Sequence, residues 1–384
     1  MPSDATRLAP DIVQRAVDEA VTERGGIGVQ VAAYRHGELI VDTWAGVADQ
    51  ATGAAVDGDT LFNVFSVTKG ITATAVHLQA ERGLIDYDAP MAAYWPEFGA
   101  NGKAAVTVRN ALTHCTGAPQ MPPGVTPEMM CDWDRMAAAI AALPPILPIG
   151  EPAYQSISFG WVLGELVRRT DVRQRSFRDF VAQDIAAPYG IDDLWIGIDP
   201  AVEPRIARLV DGMAMGALPE GSLIAQSMPP AVALGPQVFE RPEVRRATIA
   251  GVGGIFTARA AARFFAILAN GGELDGRRLL SRERVAMMCR PRPGADRPDP
   301  VFYGSVMPIS EGGYWRYDPK TPSTAPVGSP TAICAPGVGG ALAWADPATG
   351  LAVAFCHNHM TSARSAEAHP AYAIANAIRS SLGL

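Results

Sequence analysis

Apolar residues recur at two different spacings along the chain, and each spacing predicts a different kind of element. From 11 to 23 they return every three or four positions, which is typical of an amphipathic helix, and Gly25-Gly26 ends this run. Two runs rich in β-branched residues, 28–34 and 38–44, are separated by Arg35-His36-Gly37, which predicts a hairpin. The chain therefore begins with a helix and an antiparallel pair of strands.

The same spacings predict further helices and a second hairpin. An alanine-rich segment at 68–82 with apolar residues on one side stops at Gly83, as a helix with a glycine C-cap does. Two apolar runs, 340–345 and 351–357, flank a turn segment near the end of the chain and predict another pair of strands. The other helical patterns lie at 133–143, 159–169, 176–185, 258–269 and 371–382.

Strands near both ends of the chain and helices between them predict an α+β fold (α/β plus all-α). We expect one antiparallel β-sheet built from both chain ends and flanked by helices, with an inserted, mainly helical domain. Prolines become frequent after Pro90 and break that insertion into short pieces. The predicted domains are 1–90 with 247–384, and the insertion 91–246, with the active site in the cleft between them.

Composition excludes several classes of protein. The chain has 384 residues, of which 48% are hydrophobic and 18% charged, so it can bury a large core. Its 32 basic residues are scattered and its net charge is −7, which disfavours binding to nucleic acid or to an anionic membrane. The start of the chain has no signal-peptide pattern, and no apolar run reaches the ~18 residues that span a bilayer. We therefore expect a cytoplasmic location.

The cysteines and histidines do not indicate a metal site. Five cysteines lie far apart without zinc-like spacing, so we expect reduced, mostly buried thiols. His357-Asn358-His359 offers two histidines on one side of a predicted strand, but without an evident third ligand packing is the better interpretation. The sequence predicts no metal and no cofactor.

The strongest chemical signal is Ser66-Val67-Thr68-Lys69 at the start of a predicted helix. The i, i+3 spacing places the lysine amine on the side of the helix that carries the serine. A partly desolvated amine there loses proton affinity and can accept the serine proton, so this pattern suits a serine nucleophile without histidine. The alternative is a capping serine followed by a surface lysine. The chain has only three lysines, which makes that alternative weaker.

Two other segments indicate a catalytic role only when they are considered together with this motif. Tyr154 follows a proline-rich loop and precedes a helix, where it can pass a proton, although a tyrosine there is more often a packing residue. Glycines at 337–340 precede a strand and allow its backbone N–H groups to approach a ligand, although such glycines usually form a turn.

Together and in this order, these segments resemble the serine β-lactamase and penicillin-binding-protein superfamily. Within it the chain looks most like the class C β-lactamase-like hydrolases called family VIII carboxylesterases. The resemblance runs from about Val29 to Met360. It rests on LFNVFSVTK at 61–69, VRNALTHCTG at 108–117, YQSISFGW at 154–161, ANGGELDG at 269–276, GVGG at 337–340 and DP at 346–347.

The resemblance implies a β-lactamase/transpeptidase-like fold and a role for each matched residue. Ser66 is the acylated nucleophile, Lys69 and Tyr154 act as general base and acid, and the backbone N–H groups of Ser66 and Val338 form the oxyanion hole. The expected substrate-binding residues are those beside these motifs and two in a methionine-rich part of the insertion, where ordinary core packing is the alternative. They are Gln155, Ser156, Ala335, Gly337, Met121 and Trp133.

Two positions depart from the superfamily pattern. Ser156 stands where the tyrosine motif of the lactamases has asparagine, and Ala335 stands where the third motif opens with lysine, histidine or tryptophan. A cation there grips the carboxylate of penicillins or D-alanyl peptides, so its absence argues against an efficient β-lactamase or carboxypeptidase.

The sequence therefore predicts a serine hydrolase, a carboxylesterase that acts on small esters and in some cases amides. The first alternative is a transacylase that passes the acyl group to an amine or alcohol in natural-product biosynthesis. Weaker alternatives are a β-lactamase or D-aminopeptidase and a binding protein of the same fold without catalysis. The expected partners are a small-molecule substrate and, for the transacylase, an amine or alcohol acceptor, with no nucleic acid and no membrane.

Overall fold

The computed structural model describes residues 10–213 and 218–384, and strands occur near both ends of this range. They are β1 (Gly28–Arg35), β2 (Glu38–Asp49), β3 (Ala54–Ala55), β4 (Phe62–Phe65), β5 (Leu194–Ile196), β6 (Val210–Asp211), β7 (Gly254–Phe256), β8 (Glu273–Leu274), β9 (Arg277–Arg278), β10 (Pro298–Asp299), β11 (Ser305–Val306), β12 (Trp315–Arg316), β13 (Ile333–Pro336), β14 (Leu342–Asp346), β15 (Leu351–His357) and β16 (His359–Met360).

The helices occupy the middle of the chain and its two ends. They are α1 (Pro10–Thr22), α2 (Thr68–Glu81), α3 (Val108–Leu112), α4 (Pro127–Met130), α5 (Trp133–Ala141), α6 (Phe159–Thr170), α7 (Phe177–Phe180), α8 (Leu223–Ser227), α9 (Pro236–Phe239), α10 (Pro242–Arg246), α11 (Ala258–Ala269), α12 (Arg282–Met288) and α13 (Tyr372–Ser381).

The main sheet has seven strands in the order β12-β13-β14-β15-β1-β2-β3, and neighbouring strands are antiparallel. Strand β1 pairs on one side with β2 and on the other with β15, where Val31 lies opposite Phe355. Alternate residues of β1 face opposite sides of the sheet, as the pleat requires. Val29 and Val31 pack with α1 and α13, whereas Ala32 packs with the core that contains α11. The predicted α+β fold, with a sheet built from both chain ends, is confirmed.

A smaller sheet positions the candidate site. Strands β5, β7 and β4 lie side by side in that order, and α2 begins three residues after β4 ends. Every residue of α2 from Thr68 to Ala80 is buried, which explains why the sequence of this helix is alanine-rich and carries few long polar side chains. Helix α2 packs against α6 and against β13 of the main sheet.

The helix predicted at 176–185 is only partly α-helical. Helix α7 ends at Phe180, and the chain continues as a π-helical segment, Val181–Ala186. The wider turn accompanies ion pairs of Asp184 with Arg82 at 2.7 Å, with Arg175 at 2.5 Å and with Arg173 at 3.5 Å. Arg82 is distant from Asp184 in sequence, and the spacing of apolar residues predicts none of these ion pairs. In the described residues from 91 to 213 and from 218 to 246, the chain forms α3 to α10 and two short strands. The division of this segment from the rest into a separate domain stays a prediction.

Candidate active site

Ser66 lies in the turn between β4 and α2 and is partly exposed. The preceding residue, Phe65, has a φ of +44°, a left-handed conformation that bulky residues rarely adopt. Thr68 holds this turn, because its Oγ1 donates to Phe65 O at 2.5 Å and accepts from Gly254 N at 2.8 Å. The strained turn is thus fixed by the neighbouring strand β7, and strain of this kind clusters at functional sites.

Lys69 lies one turn beyond Ser66, as the motif spacing predicts. Its Nζ is 3.0 Å from Ser66 Oγ, 2.7 Å from Ser156 O and 3.0 Å from Gly251 O. The side chain is 4% exposed, and within residues 10–213 and 218–384 no carboxylate forms an ion pair with it. Burial lowers the pKa of Lys69 to about 7, because desolvation disfavours the ammonium.

These three contacts fit an ammonium that donates to all three oxygens, and they also fit a neutral amine. An uncharged Lys69 has two N–H donors and one lone pair. The carbonyl oxygens of Ser156 and Gly251 only accept hydrogen bonds, so they take the two N–H groups. The lone pair is then left for the hydroxyl proton of Ser66. The arrangement can therefore remove that proton as oxygen attacks an electrophile.

Close backbone packing brings the Gly251 carbonyl to Lys69. A Cβ atom at Gly160 of α6 would lie 1.9 Å from Gly251 N and 2.3 Å from Ala250 C. Only glycine permits this approach of α6 to the 250–251 segment. Thr72 on α2 also binds this segment, because its Oγ1 donates a hydrogen bond of 2.6 Å to Ala250 O.

Tyr154 is buried beside Lys69, whose Nζ lies 5.8 Å from the centre of the tyrosine ring. Its ring stacks on His114 at 4.2 Å, and its backbone N–H donates to Asp299 Oδ2 at 2.9 Å. Its Oη accepts a hydrogen bond of 3.2 Å from Trp315 Nε1. Among the described residues no hydrogen bond joins Tyr154 Oη to Ser66 or Lys69. Burial raises the pKa of Tyr154, so the phenol stays protonated at neutral pH.

Gln155 and Ser156 continue from Tyr154 into the same loop. The backbone N–H of Gln155 donates to His114 Nδ1 at 3.1 Å. Ser156 N donates to Ser227 Oγ at 2.9 Å, and the two serine hydroxyls are also 2.9 Å apart. Ser227 Oγ further donates to Tyr154 O at 3.1 Å. The loop that carries Tyr154 and the carbonyl of Ser156 is therefore held from both sides.

The glycine segment lies against the other side of the serine turn. A Cβ atom at Gly337 would lie 2.3 Å from Val64 O, so this segment touches β4 two residues before Ser66. Val338 is partly exposed. Across the described ranges, the backbone N–H groups of Ser66 and Val338 donate no hydrogen bond within the chain. Their role as an oxyanion hole stays a prediction.

The other predicted pocket residues differ in their surroundings. Met121 is buried next to α8, and its N–H donates to Gln226 O at 2.9 Å. Ala335 is buried behind α2, 3.5 Å from where a Cβ at Gly70 would lie. Trp133 donates from Nε1 to Glu165 Oε2 at 2.8 Å on α6, a contact typical of packing. A substrate-binding role for these residues stays a prediction.

Four residues that contact the Tyr154 loop are His114, Ser227, Asp299 and Trp315. His114 falls inside a matched motif, and the resemblance implies that it is an orienting group and not a base, but does not give these contacts. The other three lie outside the motifs, 71 to 161 positions from their partners in this loop. No local pattern marks them, so only the folded chain reveals them.

The histidines near the end of the chain are engaged with backbone. His359 Nδ1 is 2.7 Å from Gly25 O, and Asn358 Oδ1 accepts from Gly28 N at 2.8 Å. His357 lies against the glycine segment, 3.0 Å from where a Cβ at Gly340 would be. In the described part of the chain, no three His, Cys, Asp or Glu side chains are grouped as a metal site requires. The same residues include no helix long and apolar enough to cross a membrane.

Comparison with known proteins decides the family. A family model described as Beta-lactamase matches residues 13–377. The chain belongs to the beta-lactamase family. It is 35% identical over 362 residues to the protein named Esterase/beta-lactamase LipL of Mycobacterium tuberculosis, an alignment that covers 87% of this chain and 78% of the relative.

Two solved structures of the beta-lactamase family fold match nearly the whole chain. A penicillin-binding protein homologue from Caulobacter crescentus has a TM-score of 0.84 and 30% identity, with 99% of this chain and 98% of the other covered. A structure described as a family VIII carboxylesterase has a TM-score of 0.85 and 29% identity, with 96% and 97% covered. The resemblance predicted from the motifs is confirmed at the level of family and fold.

Proposed function

We propose that this chain is a serine hydrolase that forms an acyl-enzyme at Ser66 and acts as a carboxylesterase on small esters and some amides. The observation that carries the proposal is the buried amine of Lys69, 3.0 Å from Ser66 Oγ and otherwise bonded to two carbonyl oxygens. The names of the relatives support it, since one is described as an esterase/beta-lactamase and another as a family VIII carboxylesterase.

In the proposed cycle, Ser66 Oγ attacks the substrate carbonyl carbon and its proton passes to Lys69. The backbone N–H groups of Ser66 and Val338 stabilise the negative oxygen of the tetrahedral intermediate. The bond to the leaving alcohol then breaks, and Tyr154 supplies the proton that the alcohol needs. Lys69 returns a proton to Tyr154, and water attacks the acyl-enzyme by the reverse sequence to release the acid.

Burial moves the pKa values of Lys69 and Tyr154 in opposite directions, and this divides the base and acid roles between them. Burial lowers the pKa of Lys69 to about 7, which leaves a large fraction of neutral amine at neutral pH. Burial raises the pKa of Tyr154, which keeps its proton in place until a developing alkoxide takes it. Pairs of titratable groups whose pKa values are displaced in opposite directions are typical of acid-base catalysis.

A fluorophosphonate probe tests the nucleophile directly. We expect intact mass to show one phosphonyl adduct per chain, and peptide mapping to place it on Ser66. Among the residues that the structure describes, only this hydroxyl lies within hydrogen-bond distance of a buried lysine amine. Ser156→Ala is the matched control, because it removes a nearby hydroxyl whose partner is Ser227, and the adduct should persist. No adduct on Ser66, or an adduct that disappears with Ser156, would favour a binding protein or another nucleophile.

The dependence of the rate on pH tests the base. Protonation of Lys69 removes its lone pair, so kcat/KM for p-nitrophenyl butyrate should fall about tenfold per pH unit below its pKa and level off above it. With that pKa lowered to about 7, the midpoint of the acid limb should lie near neutrality. A rate that stays constant from about pH 5 to about pH 9 would show that no group of this kind is required.

Finer parts of the prediction remain to be tested. The acyl-enzyme can pass to an amine or alcohol instead of water, and the ratio of transfer product to free acid with added acceptors measures this. Weak turnover of penicillins, expected from the missing cation in the third motif, and a cytoplasmic location stay predictions.

A further inference from the structure

Trp315 places an indole N–H on the phenol oxygen of Tyr154, although it belongs to none of the motifs. It lies on β12 at the edge of the main sheet, opposite Cys334 of β13. The side chain is half-buried, and its ring meets the edge of the Tyr154 ring at a centroid distance of 5.7 Å. Its Nε1 lies 3.2 Å from Tyr154 Oη.

The chemistry of indole fixes the direction of this hydrogen bond. The indole nitrogen donates and cannot accept, so Tyr154 Oη must be the acceptor. The hydroxyl hydrogen of Tyr154 must then point away from Trp315. The tyrosine ring stacks on His114 at a centroid distance of 4.2 Å and packs edge-to-face with Phe302 at 5.4 Å. With the ring held in this way, rotation of the hydroxyl hydrogen about the C–O bond is the main motion left to the side chain.

We propose that Trp315 is a positioning residue that orients Tyr154 as the proton donor to the leaving group. This inference rests on the proposed function. As the bond between the acyl carbon and the leaving oxygen breaks, its electron pair stays on that oxygen, which takes the Tyr154 proton. The tyrosinate formed keeps the hydrogen bond from Trp315 until Lys69 returns the proton.

The role of Trp315 predicts a dependence on the leaving group. An alkoxide is a poor leaving group and needs the proton of Tyr154 as the bond breaks, whereas p-nitrophenolate leaves unprotonated. A neutral N–H donor to an oxygen that becomes negative strengthens when the charge appears. Esters of simple alcohols therefore depend on Trp315, and activated phenyl esters of the same acid do not.

The experiment compares ethyl butyrate with p-nitrophenyl butyrate in Trp315→Phe, which removes the N–H and keeps an aromatic ring. We expect kcat/KM for the ethyl ester to fall ~10-fold or more, as for a lost hydrogen bond to a charged group, while that for the p-nitrophenyl ester falls less than about 3-fold. Trp195→Phe is the matched control, because Trp195 is also half-buried and donates at 3.2 Å, to Asp193. It should leave both esters unchanged.

Two further measurements separate this inference from the proposed function. Tyr154→Phe should show the same preference for the activated ester, and if it does not, the proposed acid role of Tyr154 is wrong. If Tyr154→Phe shows the preference but Trp315→Phe lowers kcat/KM equally for both esters, Trp315 has only a packing role and the inference fails. The acid limb of the pH profile should stay in place in Trp315→Phe, because that limb belongs to Lys69.

Discussion

Replacing Ser66 by alanine is expected to lower the turnover of p-nitrophenyl butyrate by ~10³-fold or more, because the variant has no oxygen to form the acyl-enzyme. The backbone N–H groups of Ser66 and Val338, which we propose bind the substrate oxygen, remain, so substrate binding should change little. The measurement is kcat and KM with active-site titration to exclude traces of wild-type enzyme.

The fold of this variant should be intact. Ser66 is partly exposed and lies in a turn that Thr68 holds through Phe65 O and Gly254 N, and none of these contacts uses the serine hydroxyl. An unchanged melting temperature would confirm that the loss is chemical. Residual activity above a tenth of wild type would remove Ser66 from the mechanism.

Replacing Lys69 by arginine should be about as severe, with a loss of ~10³-fold, although both side chains are basic. The guanidinium group does not give up its proton in proteins, so it cannot accept the proton of Ser66. The guanidinium group is also larger than the amine, and the carbonyl oxygens of Ser156 and Gly251 lie at hydrogen-bond distance from a single nitrogen. Rates with p-nitrophenyl butyrate and a thermal melt measure the two effects separately.

The same substitution at Lys320 is the control, because that side chain is exposed, and it should leave activity unchanged. A Lys69→Arg enzyme with a tenth of wild-type activity would show that a hydrogen-bonding cation suffices. The base in the proposed cycle would then have to be another group.

The sequence predicts well the part of this site that is local. Ser66 and Lys69 are three residues apart on the start of one helix, so spacing alone brings the amine to the hydroxyl. The two hairpins that pair in the main sheet were likewise visible, because glycine turns and alternating apolar residues lie close together in sequence.

The sequence does not predict the contacts that set the pKa of Lys69 and the orientation of Tyr154. The two carbonyl groups that bind Lys69 come from residues 87 and 182 positions away, and the indole on Tyr154 comes from 161 positions away. Every residue has a backbone carbonyl group, so the sequence does not mark which carbonyls bind Lys69. A tryptophan on a two-residue edge strand likewise belongs to no sequence motif that would predict its contact. The lowered pKa of Lys69 follows from burial, which depends on the whole fold.

The chain has only three lysines, and the structure explains why two of them are buried. Lys103 is also buried, and its Nζ donates to Ala141 O at 2.8 Å and to Leu143 O at the end of α5. An ammonium there satisfies carbonyl groups that a helix end leaves without partners. Buried lysine in this chain therefore serves two different purposes, and sequence alone does not distinguish them.

The pairing of β1 with β15 constrains how the protein is made. Gly28 N donates to the side chain of Asn358, the residue that follows β15, and the two are 330 positions apart. At ~5–20 residues per second, a ribosome therefore needs roughly 15–65 s to deliver β15 after β1. Until then one edge of β1 is open to pairing with other strands, which favours aggregation of nascent chains. Slow, non-local assembly of this sheet makes the yield of folded enzyme sensitive to expression rate and temperature.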